Sequence, residues 1–214
     1  MLLRFISFFL RQPYRIVTAV CVRLPYFRFI HETRDTQRPI TFDLWALQRL
    51  VGINKGPYWP VHPTSCVVGW RNILAGVEVS PGLMRGCYIQ GLGRIEIGDY
   101  TQIASNVGIV SANHLLTDNR AHQTSEVKIG AYCWLGMGCI ILPGVELGDY
   151  TVVGAGAVVT KSFPGGHCVI GGNPARKIKD IPKDECVHHK SEHEYCGYIR
   201  KEDFEAFRKA ELLV

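Results

Sequence analysis

The sequence lacks the features that mark several common protein classes. The uncharged apolar stretches near the N-terminus, such as Phe5 to Leu10, are too short for a transmembrane helix or a signal-peptide core. The eight cysteines contain no CxxC pair, and a chain of 214 residues can bury a core without cross-links. This favours buried thiols in a reducing cytosol over a disulfide framework. The net charge of +5 comes without a dense basic tract, so nucleic-acid binding has no support.

Several catalytic and metal-binding motifs are also missing. No serine lies in a GxSxG elbow, and no glycine-rich phosphate loop follows a strand pattern, so neither a hydrolase of that kind nor a nucleotide-binding fold is supported. His114 and His122 supply two metal ligands without an evident third. A group near the C-terminus comprises Cys186, His188, His189, His193 and Cys196. It lacks zinc-finger spacing and lies in a polar segment, which favours solvated side chains.

What the sequence does contain is an internal period of six residues. The period is kept by the aliphatic side chains of Ile97, Ile103, Ile109, Ile129, Leu135, Ile141, Leu147, Val153 and Val159. The residue that follows each of them is small in most units. A helix would show spacings of three and four, and an isolated amphipathic strand a spacing of two. The pattern therefore predicts an all-β fold of short strands and tight corners, three sides to a coil, which is a parallel β-helix of hexapeptide repeats.

The same period sets the expected domain boundaries. Val67, Ile73 and Val79 share its phase, and we expect regular coils as far as Lys161, with an irregular coil over 81–93. The chain then divides into a helical or irregular lead-in over 1–63, the β-helix domain over 64–180 and a C-terminal tail over 181–214.

Both ends of the chain are expected to contain helical segments. Residues 1–30 are apolar but carry five arginines, three of which, Arg4, Arg11 and Arg15, would share one helix face. Two interpretations remain open: peripheral contact with the inner face of the cell membrane, or packing on the protein's own domain. In the tail, helical spacing predicts a helix over Lys201 to Leu213 that packs against the last coil or a neighbouring subunit.

A single polar loop, Ser111 to Glu126, interrupts the period. Because loops on a rigid scaffold often carry the chemistry, its histidines His114 and His122 are candidates for catalysis. A neutral imidazole can take the proton of a hydroxyl that attacks a thioester, provided its other nitrogen is held by an acceptor. Asp118 or a backbone carbonyl could be that acceptor for His114. The alternative is that both histidines are solvated loop residues.

The chain resembles the hexapeptide-repeat acyltransferases, in particular the galactoside and maltose O-acetyltransferases and the polysaccharide O-acetyltransferases. The resemblance is carried by SANH at Ser111 to His114, by the repeats from Val127 to Gly166, and by GGNPARKIK at Gly171 to Lys179. It implies a left-handed β-helix, acetyl-CoA as co-substrate without a metal, and a homotrimer with each active site between two neighbouring β-helices.

The resemblance also implies roles for particular residues. His114 corresponds to the catalytic base. Contacts with CoA are implied for Trp134, Gly136, Ala155, Thr160, Lys161 and Arg176. Candidates for binding the acceptor are Tyr88, Gln90 and Asp118. The chain departs from the sugar acetyltransferases at Met137, where they carry a polar residue, so the oxyanion stabiliser is unassigned.

The function predicted from the sequence is acetyl-CoA-dependent O-acetylation of a sugar hydroxyl in surface polysaccharide biosynthesis, by a cytoplasmic enzyme. Three alternatives remain: an acetyltransferase for an antibiotic or amino sugar, a β-helix metalloenzyme of the carbonic anhydrase type, and a non-catalytic scaffold at the membrane.

Overall fold

A computed structural model of the protein describes residues 19–214. The basic helix face expected from Arg4, Arg11 and Arg15 lies outside the described residues. Among the helices of residues 19–214, none has both the length and the apolar character that crossing a bilayer requires.

Short strands make up most of the regular structure. In chain order they are β1 (Cys66–Val68), β2 (Ile73–Ala75), β3 (Tyr88–Gln90), β4 (Ile95–Ile97), β5 (Gln102–Ile103), β6 (Gly108–Val110), β7 (Ala112–His114), β8 (His122–Thr124), β9 (Val127–Ile129), β10 (Trp134–Leu135), β11 (Ile140–Ile141), β12 (Glu146–Leu147), β13 (Thr151–Val153), β14 (Val158–Val159), β15 (Cys168–Gly171), β16 (Arg176–Asp180), β17 (Tyr195–Cys196) and β18 (Ile199–Arg200). The α-helices are α1 (Arg28–Glu32), α2 (Phe42–Ala46) and α3 (Lys201–Glu211). Short 3-10 or π-helical turns lie at Pro25–Phe27, Leu47–Val51, Trp70–Asn72 and Lys183–Glu185.

Three sheets form the body of the protein, and the chain visits them in turn. Sheet I contains β1, β3, β6, β11 and β14; sheet II contains β2, β4, β9 and β12; sheet III contains β5, β10, β13, β15 and β16. Strands in neighbouring coils pair in parallel, and in the regular part the partners are 18 residues apart, as for Trp134 and Val152. Three six-residue sides therefore complete one coil, which confirms the predicted mainly β architecture with parallel sheets.

The core consists of aliphatic side chains stacked from coil to coil. The strand registers align them in three columns, Ile97–Ile129–Leu147, Ile103–Leu135–Val153 and Ile109–Ile141–Val159. All nine are buried, as the period predicts. Because each side chain packs against its equivalents above and below, the interior has no room for a side chain of different size.

The corner between sheets II and III explains why small residues follow the aliphatic ones. A Cβ at Gly98 would lie 2.5 Å from the backbone nitrogen of Ala131 in the next coil, and one at Gly130 would lie 2.5 Å from the nitrogen of Asp149. Any side chain at these positions would force the coils apart. The small residue is therefore required by the spacing between coils.

The first and last coils depart from the predicted phase. Ile73 lies opposite Ile95, and Ala75 lies opposite Ile97, so the phase predicted at Ile73 is wrong by two residues. The cause is a first coil of 22 residues, four more than the regular repeat. At the other end the parallel pairing continues beyond the predicted limit of Lys161, since β15 pairs with β13, and β16 then returns antiparallel along β15.

The C-terminal helix exists as predicted, but it packs at the other end of the β-helix. The rings of Phe204 and Phe207 each lie 5.2 Å from the ring of Tyr58, which precedes β1. The backbone N–H of Leu213 donates a hydrogen bond to the carbonyl of Arg71. The expectation that the helix covers the last coil is therefore wrong, because its aromatic face finds apolar partners at the first coil.

We expect Leu135→Ala to lower the free energy of unfolding by about 2–5 kcal/mol, because the truncated side chain leaves a cavity in a stacked column. Leu116→Ala is the matched control, since Leu116 is fully exposed, and it should change stability by less than about 0.5 kcal/mol. Denaturant unfolding at one protein concentration measures both. Equal effects at the two positions would contradict the packing described for the columns.

Candidate active site

The segment that interrupts the period folds as a β-hairpin at the corner between sheets I and II. Strands β7 and β8 pair antiparallel, with His114 opposite His122. Buried Ser111 anchors the base: its hydroxyl lies 2.7 Å from the carbonyl of Gln90 and accepts from the N–H of Gly93 at 2.9 Å. The base of the hairpin is thus fixed to the end of β3 and the turn after it, in the preceding coil, while its tip extends into solvent.

The His114 ring is held in one orientation by the backbone of its own hairpin. Nδ1 lies 2.5 Å from the carbonyl oxygen of Asn119. Because a carbonyl only accepts, the neutral ring must carry its proton on Nδ1, which leaves the Nε2 lone pair free. The ring also lies 4.3 Å from that of His122. His114 is exposed, so Nε2 is in a state and a position in which it can accept a proton from a ligand.

Asp118 does not orient His114. Its carboxylate accepts hydrogen bonds from Nε and Nη2 of Arg120 at 2.9 and 3.0 Å, and from the backbone N–H of the same residue. These bonds hold the pKa of the Asp118 carboxyl below its ordinary value. Of the two acceptors expected for His114, the structure therefore has the backbone carbonyl, at Asn119. Sequence reasoning could not find that residue, because its contribution comes from the main chain and not from its side chain.

Two of the candidate acceptor-binding residues lie beside the hairpin. Tyr88 and Gln90 are on β3, which pairs with β6, the strand from which the hairpin leaves. The Tyr88 side chain is 44% exposed on the outer face of sheet I. The Gln90 side-chain oxygen is buried without a hydrogen-bond partner in residues 19–214. Tyr88 and Gln90 thus lie on the strand next to the one from which the hairpin leaves, whereas the Asp118 carboxylate is paired with Arg120.

The candidate CoA-binding residues fall into two groups. Thr160 and Lys161 follow β14, two strands along sheet I from β6, and so share the sheet I–II corner with the hairpin. The three sheets form the three sides of a prism. Trp134 is 56% exposed on sheet III, which is a different side of this prism from the hairpin's corner. Gly136 and Ala155 lie near it, at the ends of β10 and β13. One chain therefore does not bring Trp134 and His114 together.

Several cations near the last coils are without acidic partners. Arg176 is exposed at the start of β16, and among the described residues its guanidinium hydrogen-bonds only to the carbonyl of Ala175. Lys161 lies over the ring of Phe163 at 5.8 Å and forms no ion pair with another described residue. Lys177, by contrast, is paired with Asp180. Arg176 and Lys161 are thus available to an anionic ligand such as a phosphate.

The expectation of solvated side chains in the C-terminal Cys/His group is wrong for two members. Cys196 is buried, and burial raises its pKa to about 12. The His189 ring packs edge-on against Tyr100, whose ring stacks on Tyr132 at 5.3 Å. Tyrosine hydroxyls at this corner hold the tail by donating to the carbonyls of Val187 and His189 and to Glu194. In residues 19–214 no group of three His, Cys, Asp or Glu side chains is placed to hold a metal ion.

Comparisons with known proteins agree with this architecture. Residues 126–161 match the family described as bacterial transferase hexapeptide, six repeats. The structure is similar to a maltose O-acetyltransferase from Clostridium difficile 630, with 27% identity and a TM-score of 0.54 over 76% of this chain and 91% of that one. It is similar to a galactoside acetyltransferase in complex with coenzyme A, with 25% identity and a TM-score of 0.54 over 77% and 82%. No curated protein sequence matches the chain.

The repeats, the three-sided coils and the two structural neighbours all show the resemblance to hexapeptide-repeat acyltransferases, and they support an acyltransferase. This confirms the class expected from its sequence.

We expect Ser111→Ala to destabilise the protein by about 1–3 kcal/mol, because it leaves the N–H of Gly93 without its buried acceptor. Amide hydrogen exchange over 112–124 should accelerate as the base of the hairpin loosens. Ser105→Ala is the control, since no hydrogen bond to its hydroxyl is present among the described residues. Unchanged exchange in Ser111→Ala would show that the hairpin is anchored elsewhere.

Proposed function

We propose that the protein is an acetyl-CoA-dependent O-acetyltransferase that acts on a sugar hydroxyl, with His114 as the general base. The observation that carries the proposal is the hydrogen bond from Nδ1 to the Asn119 carbonyl, which leaves Nε2 as a free acceptor on an exposed hairpin. The structure is similar to maltose and galactoside acetyltransferases, and this similarity supports acetyl as the transferred group and a sugar as the acceptor.

The chemistry follows from the state of the imidazole. Nε2 takes the proton of the acceptor hydroxyl as its oxygen attacks the acetyl carbonyl carbon, and the C–S bond breaks to release the acetyl ester. The same nitrogen then returns the proton to the departing sulfur, so the ring ends as it began. While the ring is protonated, the Asn119 carbonyl stabilises the positive charge through Nδ1–H. Acetyl-CoA supplies the acetyl group as a thioester.

The residues present fit a CoA molecule. Its phosphates require cations that are not neutralised by nearby carboxylates, and Lys161 and Arg176 meet that condition. Thr160 would lie beside Lys161. An exposed indole at Trp134 and the close approach allowed by Gly136 and Ala155 suit the apolar part of a pantetheine arm.

We further propose that the coils wind left-handed and that three copies assemble. The assembly is supported by the geometry, because His114 and Trp134 lie on different sides of one prism and a second prism is needed to bring both to one thioester. Exposed apolar side chains on sheet I, on sheet III and at the corner between these two sheets offer surface for such an assembly. They are Val68, Tyr88, Trp134, Met137 and Ile140. The division into 1–63, 64–180 and 181–214 also remains a proposal.

For the acceptor we propose a sugar hydroxyl of a surface polysaccharide or its precursor, contacted by Tyr88 and Gln90. The Gln90 side-chain oxygen supports this, because it has no donor among the described residues and would accept from a sugar hydroxyl once the side chain turns outward. A cytoplasmic location is supported by the eight free thiols, since persistent reduced cysteines suit a reducing compartment.

His114→Ala should lower the rate of acetyl transfer by about 10²–10⁴-fold, because the hydroxyl loses its general base. CoA binding measured by calorimetry and the thermal midpoint should change little, since the side chain is exposed. Thiol release from acetyl-CoA in the presence of an oligosaccharide panel measures the rate. His122→Ala is the matched control on the opposite strand and should keep most activity. Full activity of His114→Ala would contradict general-base catalysis by His114.

An active site shared between subunits should also appear in mixed assemblies. His114→Ala and Trp134→Ala chains should each be impaired alone, yet co-assembled in equal amounts they should regain activity at about a quarter of the interfaces, where both native residues meet. Size-exclusion chromatography coupled to light scattering verifies that the mixed assemblies form. If mixing restores nothing in verified mixed assemblies, the two residues do not serve a common site across subunits.

A further inference from the structure

The lead-in before the β-helix exposes a set of apolar side chains on two segments, residues 20–26 and 47–53. We call it the N-terminal apolar face; it comprises Val20, Leu24, Tyr26, Leu47, Leu50, Val51 and Ile53. Leu50 is 70% exposed and Val51 is 65% exposed. Other exposed apolar residues, such as Trp134 and Ile140, lie on the sides of the prism and belong to the site and assembly surfaces already described.

The two segments of this face are held together by aromatic packing. The Tyr26 ring lies 6.1 Å from that of Trp45, whose ring in turn lies 4.6 Å from Phe27 in the buried cluster of the lead-in. The turn Leu47–Val51 begins two residues after Trp45. The face is therefore attached to a packed support and is not a loose chain end.

The outward direction of the turn Leu47–Val51 is fixed by Gln48. Its side chain is fully buried and donates from Nε2 to the carbonyls of Pro57 and Trp59 at 3.1 and 3.0 Å, while its oxygen accepts from the Tyr198 hydroxyl. With Gln48 turned inward, Leu50 and Val51 must face away from the core. Their exposure is thus a consequence of the fold.

The face is accompanied by a strong positive charge. The first 31 residues contain five arginines and no aspartate or glutamate. Two of these arginines, Arg23 and Arg28, lie in the described part of the chain, where they are exposed and form no ion pair with another described residue. The nearest acidic residue along the chain, Glu32, is paired with Arg200. The 18 residues that precede Ala19 are also basic and rich in Leu and Phe.

We propose that the N-terminal apolar face docks on an anionic lipid bilayer. Its aliphatic and aromatic side chains enter the interfacial layer, and Arg23 and Arg28 contact lipid phosphates. A second copy of the chain is a poorer occupant, because a two-fold contact would bring two copies of the same positive surface together. An apolar face bordered by unpaired arginines is matched by a surface that supplies both hydrocarbon and negative charge. The inference is independent of the catalytic proposal.

Vesicle flotation of the full-length protein tests the proposal. The protein should float with vesicles of equal parts phosphatidylglycerol and phosphatidylcholine, and much less with phosphatidylcholine alone. Leu50→Glu/Val51→Glu should weaken partitioning by more than about tenfold, and Arg28→Gln by about fivefold, because each basic residue at an anionic surface contributes a factor of that size. Raising the salt concentration should weaken binding further.

The matched control is Ile178→Glu/Val187→Glu, which adds the same two charges at positions 66% and 72% exposed, on β16 and in the tail. It should float like the unmodified protein. Light scattering should give all variants the same mass, and thermal unfolding should show that each is folded. Three results would overturn the proposal: no flotation of the unmodified protein, equal loss in the control, or a change of mass in Leu50→Glu/Val51→Glu, which would make the face an interface between copies.

Discussion

The structure depends on the stacking of identical positions from one coil to the next. Ile109, Ile141 and Val159 lie opposite one another in sheet I, and the same holds for the columns of the other two sheets. Each side chain is buried mainly by its own equivalents, so every coil stabilises the next and the spacing between coils is set by backbone hydrogen bonds. A residue added within a side would displace the following stack, whereas residues added at a corner leave it intact. Insertions are therefore tolerated only at corners.

That constraint places the candidate catalytic group. The hairpin with His114 leaves the prism at a corner, and buried Ser111 ties its base to the end of β3 in the preceding coil. The rigid coils on both sides fix the two ends, and the Asn119 carbonyl fixes the ring. The imidazole is thereby held in one tautomer by groups that need not move during proton transfer. The position of the His114 ring is therefore fixed by the packing of the core, several residues away.

The core can be predicted from the sequence because the pattern that specifies it is local. All nine in-phase aliphatic residues are buried, and the hairpin is found where the period stops. Prediction fails where the repeat gives way to contacts between distant segments. Ile73 is out of phase because the first coil is longer, and α3 meets Tyr58 because two aromatic surfaces far apart in the chain fit each other. The acceptor at His114 is a main-chain carbonyl, which no side-chain pattern can indicate.

The proposed reaction requires that the His114 imidazole, fixed on a corner hairpin, meets a thioester beside a second prism. A crystal structure of the assembled protein with bound coenzyme A tests it most directly. We expect the thiol sulfur to lie in the groove between two copies, with Nε2 of His114 in reach of an acceptor oxygen beside it and Trp134 on the facing prism. A sulfur atom far from the His114 ring, or a groove formed within a single chain, would contradict it.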